Sequence, residues 1–252
     1  MFYQLKRHPI PVRAFFRHSL VLTYALPQEV LRPLLPPGLM LDTFGEFGFL
    51  AIAMVQTESL RPVFLPRALG RNFFLSGYRI FARFKTSAGR TLRGLKILRS
   101  DTDSRMMVAF GNMLTHYAYR YAAVTVSETL ESLEIQITTP NAEADVHCIA
   151  RIGTPAEQLP EGSPFSDLHQ ARLFAGPLPF TFDYEPETHS IVMIEGVREK
   201  WGPKPVGVEI FQTTFFDREP FRRARPILAN AFHVNNIAYS WGRGVREQLR
   251  QV

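Results

Sequence analysis

Residues 78–99 constrain the fold more than any other stretch of the chain. Tyr78 to Lys85 alternates in a period-2 pattern, Thr86-Ser87-Ala88-Gly89 is a cluster of turn formers, and Arg90 to Arg99 runs back. An antiparallel hairpin is therefore expected. If the loop is those turn residues alone, Lys85 pairs with Arg90 and Lys96 falls opposite Arg79. One face then carries Tyr78, Ile80, Ala82 and Phe84 with Leu95 and Ile97, and it is the more apolar, so it is expected to pack as core. The other carries Arg79, Phe81 and Arg83 with Leu92, Gly94, Lys96 and Leu98. Lys96 is thus expected on a mixed face that borders either a polar cavity or solvent, and a one-residue change of loop register would give it a different partner.

Lys96 matters because of its setting. The chain has five lysines, Lys6, Lys85, Lys96, Lys200 and Lys204, and only Lys96 is embedded in an apolar strand, between Leu95 and Ile97. In a pocket with other cations nearby, burial and like charge both disfavour an ammonium, and the free amine attacks carbonyls. The other reading is a stem packed along the strand with its head in water. Both stay open at this point.

Composition narrows the class. With 252 residues and 46% hydrophobic content there is material for a sizeable core. Pro at 19, Gly at 16 and Phe at 21 suit many short strands better than long helices. Most of the cations behind the +6 net charge are arginines, whose planar fork suits carboxylate or phosphate. The single cysteine, Cys148, excludes an internal disulfide and a cysteine metal cluster and points to a reducing compartment. The N-terminus has no continuous apolar core of signal-peptide type, and the longest apolar run, 47–55, is too short to span a bilayer. A cytoplasmic protein is expected.

Along the chain, strands are expected at 17–25, 47–56, 117–128, 133–139, 144–152, 191–197, 206–216 and 231–241. The strand at 47–56 does not alternate, so both of its faces should be buried. Helices are expected at 27–35, with Pro27 in the first turn, at 105–114 behind the start signal Ser100 to Ser104, and at 166–174, stopped by Gly176-Pro177-Leu178-Pro179. The span 58–77 reads as a long loop with some helix, 154–164 as a linker, and 244–251 as a basic helical tail. One β-rich domain over 1–252, with a few peripheral helices, is the economical description.

Several chemistries find no motif. The seven histidines lack metal spacing such as H-E-x-x-H, so no metal is expected, and no glycine-rich phosphate loop or Gly-x-Ser-x-Gly elbow appears, so no cofactor is expected either. His116 and His233 read as cavity-lining acid or base, or as structural histidines. His18 and Arg17, being adjacent, should point to opposite faces of their strand. The C-terminal third is basic, with Arg218, Arg222, Arg223, Arg225, Arg243, Arg246 and Arg250. Without an aromatic stacking platform these read as solubilising surface, with neither nucleic acid nor membrane as partner.

Phe16 to Asp42, FRHSLVLTYALPQEVLRPLLPPGLMLD, resembles the start of the acetoacetate decarboxylase superfamily. There a strand ending in Tyr leads to a helix of the form (D/E)-x-L-R-x-x-x-P and a Pro-x-x-Leu turn. Tyr24, Leu31, Arg32, Pro36, Leu39 and Asp42 fall on that pattern. The later stretches RSDTDSRMMVAFGN and FAGPLPFTFDYEPET are more similar to the uncharacterised bacterial branch of that superfamily, a domain of unknown function. The resemblance implies an α+β, β-rich fold: a mostly antiparallel β barrel or cone with a central cavity.

It also implies site residues. Arg17 falls on the arginine that the enzymes use to hold a substrate carboxylate, and Lys96, after a one-residue gap, on the Schiff-base lysine. Arg79, Tyr78, His116 and Asn72 complete the expected substrate-binding set. This chain has no second lysine and no proline at the central strand, and Glu58 is the only acid from Phe47 to Ser100, where the family has two glutamates. The resemblance and these departures together imply an acetoacetate decarboxylase-like protein with a cavity for a small keto acid or related carbonyl compound, acting through a Lys96 Schiff base rather than as a true acetoacetate decarboxylase. The alternative is a non-catalytic binding protein for a small apolar carboxylic acid. Unpaired strand edges would favour a homo-oligomer.

Overall fold

A computed structural model describes residues 2–176, 178–199 and 201–249. The first long strand, β1 (Val12–Pro27), leads through a short helix, α1 (Gln28–Leu31), and two small strands, β2 (Leu39–Leu41) and β3 (Thr43–Phe44), into β4 (Phe47–Pro62). Then come β5 (Arg71–Lys85), β6 (Thr91–Thr102), helix α2 (Arg105–Leu114), β7 (Tyr119–Tyr121), β8 (Ala123–Glu128), β9 (Ser132–Thr138) and β10 (Val146–Arg151). Helix α3 (Leu168–Phe174) precedes β11 (Phe180–Glu185), β12 (Ser190–Arg198), β13 (Lys204–Pro205), β14 (Gly207–Thr213), β15 (Ile227–Trp241) and β16 (Val245–Gln248).

Within a 12-stranded sheet, β15, β1, β4, β5, β6, β11 and β12 are hydrogen-bonded in that order, and β12 pairs back to β15, so the path of strands closes on itself. Every pairing is antiparallel except those of β6 with β11 and with β7. A second, 4-stranded sheet runs β14-β10-β9-β8. The expected β-rich, mostly antiparallel architecture with a few helices is what forms.

Each long strand has two jobs. One face of β1, β4 and β5 carries Leu20, Leu22, Leu50, Ile52, Met54, Tyr78 and Ile80, which share a core with Leu133, Ile135 and Ile137 of β9 and Val146 and Cys148 of β10. That face is covered by the second sheet. The opposite face carries Ser19, Val21, Ala51, Ala53, Val55, Arg79 and Phe81, which line a cavity. A strand clothed on both sides has no polar side to alternate with, which is why 47–56 reads as a continuous apolar run.

One end of the closed sheet is plugged. Phe44, Phe49, Phe81 and Phe165 pack with Phe174 of α3, ring centroids 5.0–6.3 Å apart where they pair. Each such ring, when fully buried like Phe49, contributes about 1.5–3 kcal/mol from burial.

Some expectations fail locally. The loop expected at 58–77 is mostly strand: β4 runs on to Pro62 and β5 starts at Arg71. The register slips between Thr57 and Leu60, with Ser59 at a φ of 52°; that irregularity breaks the alternation by which strands are recognised in a sequence. The basic tail is not a helix. Val245 to Gln248 pairs with Met193 to Ser190 at the edge of β12, while residues 250–251 lie outside the described part. Pro177, one of the residues expected to stop α3, lies outside it as well. α2 forms where expected, with Ser104 Oγ accepting from the amide of Met107 at 3.3 Å.

Between the sheets sits a histidine pair. His18 Nδ1 of β1 lies 3.0 Å from His233 Nε2 of β15, and His18 Nε2 lies 3.1 Å from Glu128 Oε1 of β8. Burial, then the neighbouring His18, pushes His233 down to about 4. The folded chain therefore takes up this proton later than the unfolded chain, whose histidines titrate near pH 6.5. As pH falls from about 6.5 to about 4 the unfolded state binds more protons, so stability declines through that window and the His233 contribution levels off below it. Urea unfolding at pH 7 and pH 4.5 should show a loss on the order of 2 kcal/mol from this site, and His233→Gln should remove that part of the slope.

No helix among the described residues is long and apolar enough to cross a membrane.

Candidate functional site

The central hairpin decides what the cavity contains. Its loop is one residue longer than the turn cluster suggests: Thr86 N donates to Arg90 O at 2.8 Å, Gly89 takes a φ of 81°, and Lys85 pairs with Thr91. The pairing is thereby shifted by one residue, and Lys96 stands opposite Ile80 instead of Arg79. Leu98 is an extra residue between Ile97, opposite Arg79, and Arg99, opposite Tyr78. Arg79 and Phe81 consequently share the cavity face with Leu95 and Ile97, and Lys96 is not on it. The side chains of Arg79 and Lys96 part company because of one loop residue.

The cavity has a volume of about 630 Å³. Its walls are largely apolar, with Phe16, Val21, Val55, Phe81, Leu95 and Ile97 among them, and no acidic side chain of the described residues lines it. Its polar groups are Arg79, Arg198, Tyr117, Tyr119, Tyr239, Trp201, His8 and a few hydroxyls, with Arg61 and Arg71 also among its lining residues. Arg79 Nε and Arg198 Nη2 are both buried without a hydrogen-bond partner, as is Trp201 Nε1. Arg198 stacks over Trp201, 4.4 Å from the ring centroid, and over Tyr239 at 5.6 Å. Neither guanidinium has an ion-pair partner among the described residues. Burial holds each below the usual arginine value, and Arg79 further lowers Arg198.

Gly77 makes the room for Arg79. A Cβ at position 77 would lie 2.7 Å from Arg79 Nε and 3.0 Å from Nη2, so any side chain there would push the guanidinium aside. His8 adds a different group. Its Nδ1 lies 3.0 Å from the carbonyl of Gly242, which can only accept, so the neutral ring carries its proton on Nδ1 and leaves Nε2 as acceptor. Burial holds His8 below the ordinary histidine value.

Of the residues singled out in the sequence, Arg79 is the one that lines the cavity. Arg17 does not: it is an exposed side chain whose Nη2 donates to Glu128 at 2.9 Å. The pairing of β1 with β4 slips between Phe16 and His18. This bulge lets Arg17 and His18 reach the same glutamate, where strict alternation would send them to opposite faces. Tyr78 is fully buried on the face under the second sheet, donating to the carbonyl of Ala144 at 2.9 Å and stacking on Phe215. Asn72 is exposed at the start of β5, its Oδ1 accepting from the amide of Ser59 at 2.8 Å. His233 turns away from the cavity toward His18.

Lys96 and His116 form a second group beside the cavity. Lys96 Nζ lies 3.1 Å from Oδ1 of the fully buried Asp183, so a carboxylate stands where the nucleophile reading places another cation. Asp183 Oδ2 and His116 Nε2 are buried without hydrogen-bond partners. Burial lowers His116, against a smaller raising effect from Asp183. Tyr117, a cavity residue, also lies within the field of Asp183. Arg198, Trp201, His8 and Asp183 were not foreseen from the sequence. Only Asp183 had a usable signal, the alternating run FTFDYE that forms β11.

The model of DUF2071, a family of uncharacterised conserved proteins, matches residues 13–235. This chain belongs to the DUF2071 family. No curated protein matches its sequence. Among solved structures, acetoacetate decarboxylase from Legionella pneumophila superposes with a TM-score of 0.61 at 13% identity, over 96% of this chain and 90% of that one. An acetoacetate decarboxylase-like enzyme from Sphingomonas wittichii RW1 gives 0.61 at 13% identity, over 97% and 96%. The enduracididine biosynthesis enzyme MppR, complexed with the condensation product of pyruvate and imidazole 4-carboxaldehyde, gives 0.61 at 14% identity, over 94% and 89%. This DUF2071 chain therefore has an acetoacetate decarboxylase-like fold, as the Phe16 to Asp42 resemblance implies.

Proposed function

We propose that this DUF2071 protein binds an apolar organic acid in its cavity, with the carboxylate on Arg79 and Arg198. The observation that carries this is Arg79 itself. Arg79 is half-buried in an apolar wall with its Nε buried and unpartnered, and a charge held there without a counter-ion is costly. Here the described residues supply none at the cavity, and the missing anion is the ligand. Two guanidiniums offer forked donors to a planar carboxylate. The apolar walls take the rest of the molecule, and about 630 Å³ falls in the range of small-molecule sites. MppR, of the same fold, forms a complex with pyruvate, itself a carboxylate.

Calorimetric titration with octanoate, phenylacetate and the corresponding alcohols tests this. The acids should bind at least about 100-fold more tightly than the alcohols, since each hydrogen bond to a charged group is worth about 1.5–3 kcal/mol and tenfold is 1.4 kcal/mol. Equal binding of acid and alcohol, or no binding of either, sinks the reading.

A second reading makes the pocket catalytic, with Lys96 forming a Schiff base on a keto acid. In its favour, the Lys96–Asp183 pair and His116 adjoin Tyr117, a residue of the cavity wall. The lysine would first have to leave Asp183 and give up a proton. Borohydride reduction in the presence of pyruvate or acetoacetate, followed by peptide mass spectrometry, tests this; an adduct on Lys96 supports catalysis, and its absence leaves binding alone.

A further inference from the structure

The mouth of the cavity brings exposed apolar side chains and cations together. Five cavity-lining residues are also exposed, Ile10, Leu69, Arg71, Met106 and Phe110, and they mark the opening. They come from three segments, 2–11, 61–71 and 105–114. Pro11 O accepts from Val63 N at 3.1 Å and Leu114 O accepts from His8 N at 3.1 Å, so the three are held side by side. Next to these liners, and outside the cavity, Phe64 is 71% exposed and Met113 44%, with Leu69 and Phe110 at 60% and 52%. Large apolar side chains so exposed, gathered around one opening, mark a contact surface.

The charge of the same segments is one-sided. They hold Lys6, Arg7, Arg61, Arg67, Arg71 and Arg105 and no aspartate or glutamate. Among these cations only Arg7 has an ion-pair partner within the described residues, Glu185. Free arginines interleaved with exposed Phe, Leu and Met fit a surface with a negative skin over an apolar interior. We propose that this collar docks on an anionic lipid bilayer, apolar tips entering the headgroup boundary and arginines meeting lipid phosphates and carboxylates. The cavity then opens directly onto the phase in which apolar acids reside. A second copy of the chain would match the apolar tips but would bring the same uncompensated cations to the contact, and so fits less well.

This inference shares the cavity with the binding proposal, and the two can fail separately. Cosedimentation uses vesicles of phosphatidylcholine with phosphatidylserine, and of phosphatidylcholine alone, both free of fatty acid; octanoate calorimetry is run without lipid. The full chain should bind the mixed vesicles, bind the neutral ones far less, and be released by high salt. The pair Arg67→Glu and Arg105→Glu should weaken binding at least about tenfold, as removing surface cations does. Phe64→Ser should weaken it too while leaving octanoate binding unchanged, since Phe64 is outside the cavity. Absence of vesicle binding, or binding indifferent to lipid charge and to these substitutions, overturns the proposal. So does a dimer that Phe64→Ser converts to monomer while vesicle binding is absent, which would make the collar a self-interface.

Discussion

Arg79→Met should abolish measurable binding of apolar carboxylates and, in the same protein, raise the stability of the ligand-free chain. The two effects have one cause. With ligand, the guanidinium makes forked, charge-assisted hydrogen bonds; losing two of them costs about 3–5 kcal/mol, or a factor of roughly 100 to several thousand in affinity. Without ligand, Arg79 is a half-buried cation whose Nε is buried and unpartnered, and desolvation already holds it below its usual value. Methionine fits an apolar wall and needs no counter-ion, so the empty protein should gain about 1–3 kcal/mol. For a chain of this size that is roughly 2–4 °C of melting temperature per kcal/mol. Differential scanning calorimetry with and without octanoate reads both signs. A variant that loses stability as well as binding would mean that Arg79 has a structural partner, and the ligand reading would fall with it.

Arg99→Met should do the opposite. Arg99 is more deeply placed, with a side chain 8% exposed, but it is ion-paired: Nε bonds both oxygens of Asp101 at 2.9 and 2.8 Å and Nη1 reaches Glu143 at 2.7 Å, leaving Nη2 alone without a partner. Glu143 in turn holds Arg120 and Arg218, tying β6 to the loops at 140–143 and 214–218. Taking away the arginine leaves the carboxylate of Asp101, fully buried, with no counter-ion, at a cost of about 3–5 kcal/mol. A melting temperature lowered by roughly 10 °C is the expected reading. Asp101→Asn in the same background should recover part of it, because the orphaned charge is then gone; if it recovers nothing, the network is not what stabilises this corner. The contrast between Arg99, paired with two carboxylates, and Arg79, with no ion-pair partner among the described residues, is the strongest physical sign that Arg79 is kept for something outside the chain.

Much of the frame is legible in the residues because it depends on periodicity. The unbroken apolar run at 47–56 correctly announces a strand covered on both faces, and Ser104 correctly announces α2. The site is less legible because it depends on register. Thr86 to Arg90 closes a loop one residue longer than its turn formers suggest, and a slip of one residue moves a whole strand face. Arg79 could be named in advance, yet its partners in the site could not. Arg198 is the last residue of β12 and Trp201 lies outside any strand, and His8 belongs to an N-terminal segment without any period. Arg17 is turned outward by a bulge, which no pattern of residue types between Phe16 and His18 betrays.

The closure of the sheet has a kinetic corollary. Its last joint, between β12 and β15, rests on three residue pairs, Gly196 with Trp241, Val197 with Ser240 and Arg198 with Tyr239. Three of those residues, Arg198, Tyr239 and Trp241, also face the cavity. One of the two short joints in the wall, the other being the two-pair contact of β6 with β11, is therefore also part of the grip, and short strand contacts are where folded chains open first. A guest clasped by Arg198 bridges that joint from inside and keeps it shut, so residence time and local unzipping should be governed by the same few amides.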